Sequence, residues 1–118
     1  MYSAAVLDHF EHPRNAGDLP DATVSVQVEN PACGDMMQLS IKVEDGVISS
    51  ARFRTRGCVA SIACSSMITE LIRGKSIEEA GNIERQEIVG ALGGLPRESL
   101  HASHLAMDAL TAALRKCR

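Results

Sequence analysis

The spacing of apolar positions changes from helical to strand-like and back again along the chain. In "YSAAVLDHFEH", Val6, Leu7 and Phe10 fall at helical spacing and Pro13 ends the pattern, which predicts a short N-terminal helix. "RNAGDLPDA" reads as a loop from its Asn, Gly and Pro. Val24, Val26 and Val28 then alternate with polar residues, and Leu39, Ile41 and Val43 alternate with Gln38, Ser40 and Lys42. Both are strand patterns. "EDG" is a hairpin turn in which Gly46 is free to take positive φ, and "VISSARFRTR" follows as a third strand. From Cys58 to Arg73 the period is helical again. Ala60, Cys64, Met67 and Leu71 line one face, Cys58, Ser65, Thr69 and Arg73 fall on the other, and Gly74 ends the helix. "SIEEA" has the Ser-x-x-Glu spacing of a capping box, "GNIERQEIVGALGG" reads as short helical turns and "LPRES" as a loop. A last helix runs from about Leu100 to Lys116 with Ala102, Ala106, Ala109, Leu110 and Ala113 on its apolar face. This order predicts an α+β fold: a three-stranded antiparallel meander with helices packed on one face.

The chain has 118 residues, the size of one domain spanning 1–118, and can bury a core without disulfides or a structural metal. With aromatics at 3% and no Trp, that core is aliphatic. A net charge of −3, with no run of interleaved basic and aromatic residues, excludes a nucleic-acid binder. The N-terminal segment lacks the basic and apolar regions of a signal peptide, and no segment approaches the roughly 20 apolar residues of a membrane span. The expected location is therefore the cytoplasm. There the four cysteines are thiols, ligands or core fillers rather than disulfides.

The cysteines and histidines differ in context. Cys33 lies in "NPACGD"; if that segment is extended, Cys33 and Asp35 share one face and form half a metal site, whereas the plainer alternative is a turn. Cys58 follows Gly57 where a strand gives way to a helix, and a helix N-terminus favours thiolate. Cys64 lies in the middle of an apolar face and reads as a core filler, and Cys117 lies next to the C-terminal residue. His101 sits at the start of the last helix, where imidazole is a common metal ligand. His104 falls opposite the apolar stripe, among Asp108, Thr111 and Arg115, as a surface residue would. No Cys-x-x-Cys is present, so spacing alone does not assemble these residues.

With these residues placed, the chain resembles the iron–sulfur cluster assembly scaffold family of the IscU and NifU N-terminal type. The resemblance is carried by "DHFEHPRNAG", "NPACGDMMQLSIKV", "ARFRTRGCVASIACSSMITELIRGKS" and "LHASHLAMDAL", and covers almost the whole chain. Proteins of that family take ligands from Cys-Gly-Asp, Gly-Cys and His-Cys segments. Carried over, these fall on Cys33 with Asp35, on Cys58 and on His101, while Ala102 stands where the family has its third cysteine. The resemblance implies a non-enzymatic scaffold that binds a [2Fe–2S] cluster, or iron or zinc in its place, and passes it to apo-proteins. The alternative is a zinc-binding sulfur acceptor that partners a cysteine desulfurase. The third cysteine is commonly the sulfur acceptor, so acceptance here would fall to Cys33 or Cys58. Two protein thiolates per chain would favour a cluster shared within a homo-oligomer. The loop that serves a dedicated chaperone in the family, Leu-Pro-Pro-Val-Lys, keeps only Leu95 and Pro96 here.

Overall fold

The structure is a computed structural model and describes residues 1–31 and 34–117. Cys33 lies outside the described residues. The element order is α1 (Ala4–Glu11), β1 (Val24–Glu29), β2 (Met36–Glu44), β3 (Val47–Arg56), α2 (Val59–Ile72), α3 (Ile77–Gly81), α4 (Arg85–Ala91) and α5 (His101–Lys116). The strands pair in sequence order, β1 with β2 and β2 with β3, both antiparallel, as the alternation predicts.

The register stacks the apolar positions in rows across the sheet. Val26 lies beside Leu39 and Leu39 beside Phe53; Val24 lies beside Ile41 and Ile41 beside Ala51. All six are buried, and burial of each large aliphatic side chain contributes about 1.5–3 kcal/mol. A one-residue slip would turn these rows to solvent, so the pattern itself holds the register. At the β2–β3 turn both Asp45 and Gly46 have positive φ, 53° and 76°, as a two-residue type I′ hairpin requires. The outer edge of β3 is covered by the loop after α1: the Gly17 N–H donates to the Phe53 carbonyl at 2.8 Å and the Phe53 N–H to the Asn15 carbonyl at 3.0 Å.

Helix α5 crosses β1 and β2, and α2 packs on β3 and α5. Ala102, Ala106, Ala109, Leu110 and Ala113 are all buried, the face predicted for the last helix. Helix α1 buries a different face from that expected, and α2 departs from the expected face in part. In α1 the buried residues are Val6 and His9, while Leu7 and Phe10 are exposed. His9 takes the inward position because Ser66 Oγ lies 2.8 Å from its Nδ1, which satisfies the ring inside the α1–α2 contact. In α2, Ala60 and Cys64 are buried as the wheel predicts, but Ser65 and Thr69 are buried too and Met67 and Leu71 only half-buried, so the buried face is wider and turned toward the polar side. Helix α2 is enclosed by α1, β3, α4 and α5, so polar positions had to go inward. Their hydroxyls are satisfied within the helix, Ser65 donating to the Ser61 carbonyl and Thr69 to the Ser66 carbonyl, each at 2.7 Å.

Ser76 caps α3 and forms the expected box with Glu79. The "LPRES" segment is not all loop: Arg97–Ser99 forms a 3₁₀ turn that leads directly into α5.

Candidate metal centre

The β2–β3 ladder ends at the pair Met36 and Arg56. The next residues out, Asp35 and Gly57, therefore lie side by side at that end of the sheet. Gly57 hands the chain to Cys58, the N-cap of α2, and α5 begins at His101. Strand register and helix starts thus deliver an acid, a thiol and an imidazole to one place.

Asp35 is buried at 8% exposure, and Cys58 and His101 are half-buried. Cys58 Sγ is 3.8 Å from Asp35 Oδ2 and 3.9 Å from His101 Nε2. His101 Nε2 is 3.7 Å from Asp35 Oδ2. A tetrahedral zinc ion with bonds of about 2.0–2.3 Å sets its ligand atoms roughly 3.4–3.6 Å apart, so the triangle is close to that of three ligands around one ion. The site is also open to solvent on the His101 side, which leaves room for a further ligand.

Neighbouring groups hold each ligand in a usable state. The His101 Nδ1 lies 3.2 Å from the Glu98 carbonyl of the 3₁₀ turn. Nδ1 donates there, which places the proton on that nitrogen and leaves the Nε2 lone pair facing Asp35 and Cys58. Gly57 makes room for the carboxylate: a Cβ there would lie 2.7 Å from Asp35 Cγ and 2.9 and 3.0 Å from its two oxygens. The Ser61 hydroxyl donates to Asp35 Oδ2, and its oxygen is 3.2 Å from Cys58 Sγ. The loop before Asp35 is closed by the Asn30 N–H on the Asp35 carbonyl and the Gly34 N–H on the Asn30 carbonyl, both at 2.8 Å.

Three of the four sequence-predicted ligands, Asp35, Cys58 and His101, therefore converge. The shared-face expectation for Cys33 and Asp35 lies outside the described residues; Gly34, directly before Asp35, has φ of 75°, in the left-handed region. His104 is exposed on α5, away from the core, as expected. Ala102 is buried at 1% exposure. Cys64 is fully buried and its thiol is pushed up to about 12 by burial, which makes it inert as a ligand or nucleophile. Sequence reasoning missed Ser61, Glu98 and the reason for Gly57. Ser61 was within reach, since it lies three residues after Cys58 on a helix and so on the same face. The Glu98 contact is made by a backbone carbonyl and left no side-chain signal.

Comparison with known proteins gives one consistent answer. The family model described as the NifU-like N terminal domain matches residues 1–118. The iron–sulfur cluster assembly scaffold protein IscU 1 of Archaeoglobus fulgidus is 52% identical over 114 residues, which cover 97% of this chain and 74% of that protein. The iron–sulfur cluster assembly scaffold protein IscU of Haemophilus influenzae is 51% identical over 117 residues, 96% of this chain and 92% of that protein. Among solved structures, FiSufU of Fervidobacterium islandicum AW-1 superposes with a TM-score of 0.81 over 96% of each chain at 21% identity, a likeness of fold.

Proposed function

The chain belongs to the family of NifU-like N-terminal domains, and on that footing we propose that it is a non-enzymatic scaffold for iron–sulfur cluster assembly, with the cluster held at Cys33, Asp35, Cys58 and His101. The observation that carries this is the convergence of a carboxylate, a thiol and an imidazole from three separate segments, their ligand atoms within 4.8 Å of one another. Three donors from three separate segments meet only in the folded chain, with His101 Nε2 turned toward both Cys58 and Asp35.

The donor set suits cargo that must leave again. Thiolates are the usual ligands of iron–sulfur clusters, and imidazole can replace some of them. A carboxylate oxygen is a harder donor than sulfur and a poorer match to such a cluster. Asp35 is thus the ligand most easily exchanged for a thiolate of an acceptor protein. Cys58 supplies the sulfur donor among the described residues, His101 the nitrogen, and Cys33 completes the set. The cargo is a [2Fe–2S] cluster, its sulfur comes from a cysteine desulfurase, and apo iron–sulfur proteins receive it. Because Ala102 carries no thiol, incoming sulfur is taken by Cys33 or Cys58. Among the described residues no helix is long and apolar enough to cross a membrane, and the cytoplasm is the proposed place of work. Anaerobic incubation with ferric iron and sulfide should give a coloured protein that then loads an apo-ferredoxin. A protein that stays colourless and takes up no iron overturns this reading.

The 3.7–3.9 Å spacing of the three donors also favours a second reading, in which one zinc ion occupies the site and the chain acts as sulfur acceptor for the desulfurase. That reading requires stoichiometric zinc in the purified protein and desulfurase turnover that rises when the protein is added.

A further inference from the structure

The Ser61 hydroxyl stands between two of the three donors. Its oxygen is 3.2 Å from Cys58 Sγ, and its proton is given to Asp35 Oδ2. That same Oδ2, rather than Oδ1, is the atom facing both Cys58 and His101. Ser61 is 1% exposed, so no water competes for its hydroxyl. Its backbone is fixed as well: the Ser61 carbonyl accepts from Ser65 Oγ at 2.7 Å, and Thr55 Oγ1 lies 2.7 Å from Ser65 Oγ, which ties this turn of α2 to β3.

A hydroxyl has one proton and two acceptor lone pairs. With Cys58 as a thiol, the chain of hydrogen bonds runs from the thiol to Ser61 Oγ and from Ser61 to Asp35. With Cys58 as a metal-bound thiolate, sulfur becomes a second acceptor within reach of the same proton. A metal that takes Oδ2 competes with Ser61 for that oxygen and leaves the hydroxyl free to turn to sulfur. We infer that Ser61 is a positioning residue of the metal centre: in the metal-free site its proton sets Asp35 Oδ2 toward Cys58 and His101, and in the loaded state that proton turns to the Cys58 thiolate. Hydrogen bonds to ligating sulfur withdraw electron density from it and are among the factors that set the properties of such centres.

The inference rests on the triad being a metal site, and cobalt(II) separates the two questions. The full chain is titrated anaerobically with cobalt(II), read by its thiolate-to-metal charge-transfer absorption and by competition with a chelator. Wild type should show that absorption. Ser61→Ala should bind cobalt about 10–100-fold more weakly, with the charge-transfer band moved to longer wavelength because the sulfur lone pair is no longer held down by a hydrogen bond. Ser61→Thr should restore both. A Ser61→Thr and Ser61→Val pair repeats the comparison at matched volume, so the result does not depend on how well Ser61→Ala folds. If wild type binds cobalt and the hydroxyl-free variants match it in affinity and band position, the role of Ser61 is refuted while the metal site stands. That role is equally refuted if affinity falls but the band does not move and Thr fails to restore it. If wild type binds no cobalt, the metal-site reading fails and this inference with it.

Discussion

Substituting Gly57 by alanine tests the site through its tightest contact. The φ of Gly57 lies outside the left-handed region, so an alanine backbone is allowed there. Its Cβ, however, would lie 2.7 Å from Asp35 Cγ, where ordinary contact begins at 3.4 Å. The carboxylate must therefore retreat by at least about 0.7 Å, whereas metal–ligand distances tolerate only about 0.2 Å. Asp35 is buried and bonded to Ser61, so it cannot swing freely to another productive position. Disturbing the support of a ligand costs about 10–100-fold in metal affinity, or roughly 1.4–2.7 kcal/mol. The effect on the metal-free fold is smaller. Overpacking costs about 1–3 kcal/mol, and the loss of unfolded-state freedom on Gly→Ala returns about 0.4–1 kcal/mol. Chelator competition with zinc gives the affinity, and urea unfolding of the metal-free protein gives the stability. Gly57→Ala binding zinc as tightly as wild type would refute the idea that Gly57 makes room for a ligating carboxylate. Gly90→Ala serves as the control: it lies in α4 with nothing within 4 Å of an added Cβ. It should leave zinc affinity unchanged and stabilise the fold by about 0.5–1 kcal/mol.

Other consequences are as direct. Native alkylation followed by peptide mass mapping should modify Cys58 and spare Cys64, whose thiol is buried and pushed up to about 12; bound metal should protect Cys58. His9 is held below its ordinary value by burial, with Arg14 nearby adding to the effect and Asp8 and Glu70 opposing it. A base whose folded value is depressed binds more protons when unfolded, so its contribution to stability is full above the ordinary value of 6.5 and is lost as pH falls through the folded value. Thermal unfolding of the metal-free protein should accordingly lose part of its decline between neutral and acid pH in His9→Gln; an unchanged pH profile would contradict this. Ala102→Cys restores the thiol that the resembled family carries next to His101. After incubation with a cysteine desulfurase and cysteine, mass spectrometry should find a persulfide at position 102 of that variant, and its absence would show that this position does not accept sulfur here.

The sheet was fully legible in the sequence because period-two alternation has one consequence: Val26, Leu39 and Phe53 must face the same side. The face of α5 was legible from its helical period, with alanines at most of its inward positions. The face of α1 was not, and that of α2 only in part: Ala60 and Cys64 are buried as expected, while Met67 and Leu71 give way to Ser65 and Thr69. A wheel ranks Leu7 and Phe10 above His9, and Met67 above Ser65, by hydrophobicity alone. The structure ranks them by whether a polar group finds a partner, and His9 with Ser66, like Ser65 with Ser61, finds one. The ligand residues could be named individually, but their meeting could not be read from spacing. It depends on the register that sets Asp35 against Gly57, and on where α5 begins. Glu98 escaped notice because its carbonyl, not its carboxylate, orients His101.

Everything proposed for the site depends on Cys58 being a ligand of the cargo and on Cys64, six residues further along the same helix, not being one. Iron and acid-labile sulfide should be counted after anaerobic reconstitution of wild type, Cys58→Ala and Cys64→Ala, with folding checked by circular dichroism. Matching iron and sulfide are expected in wild type and Cys64→Ala, with loss of both in Cys58→Ala. Full loading of Cys58→Ala, or loss of loading confined to a folded Cys64→Ala, would contradict this assignment.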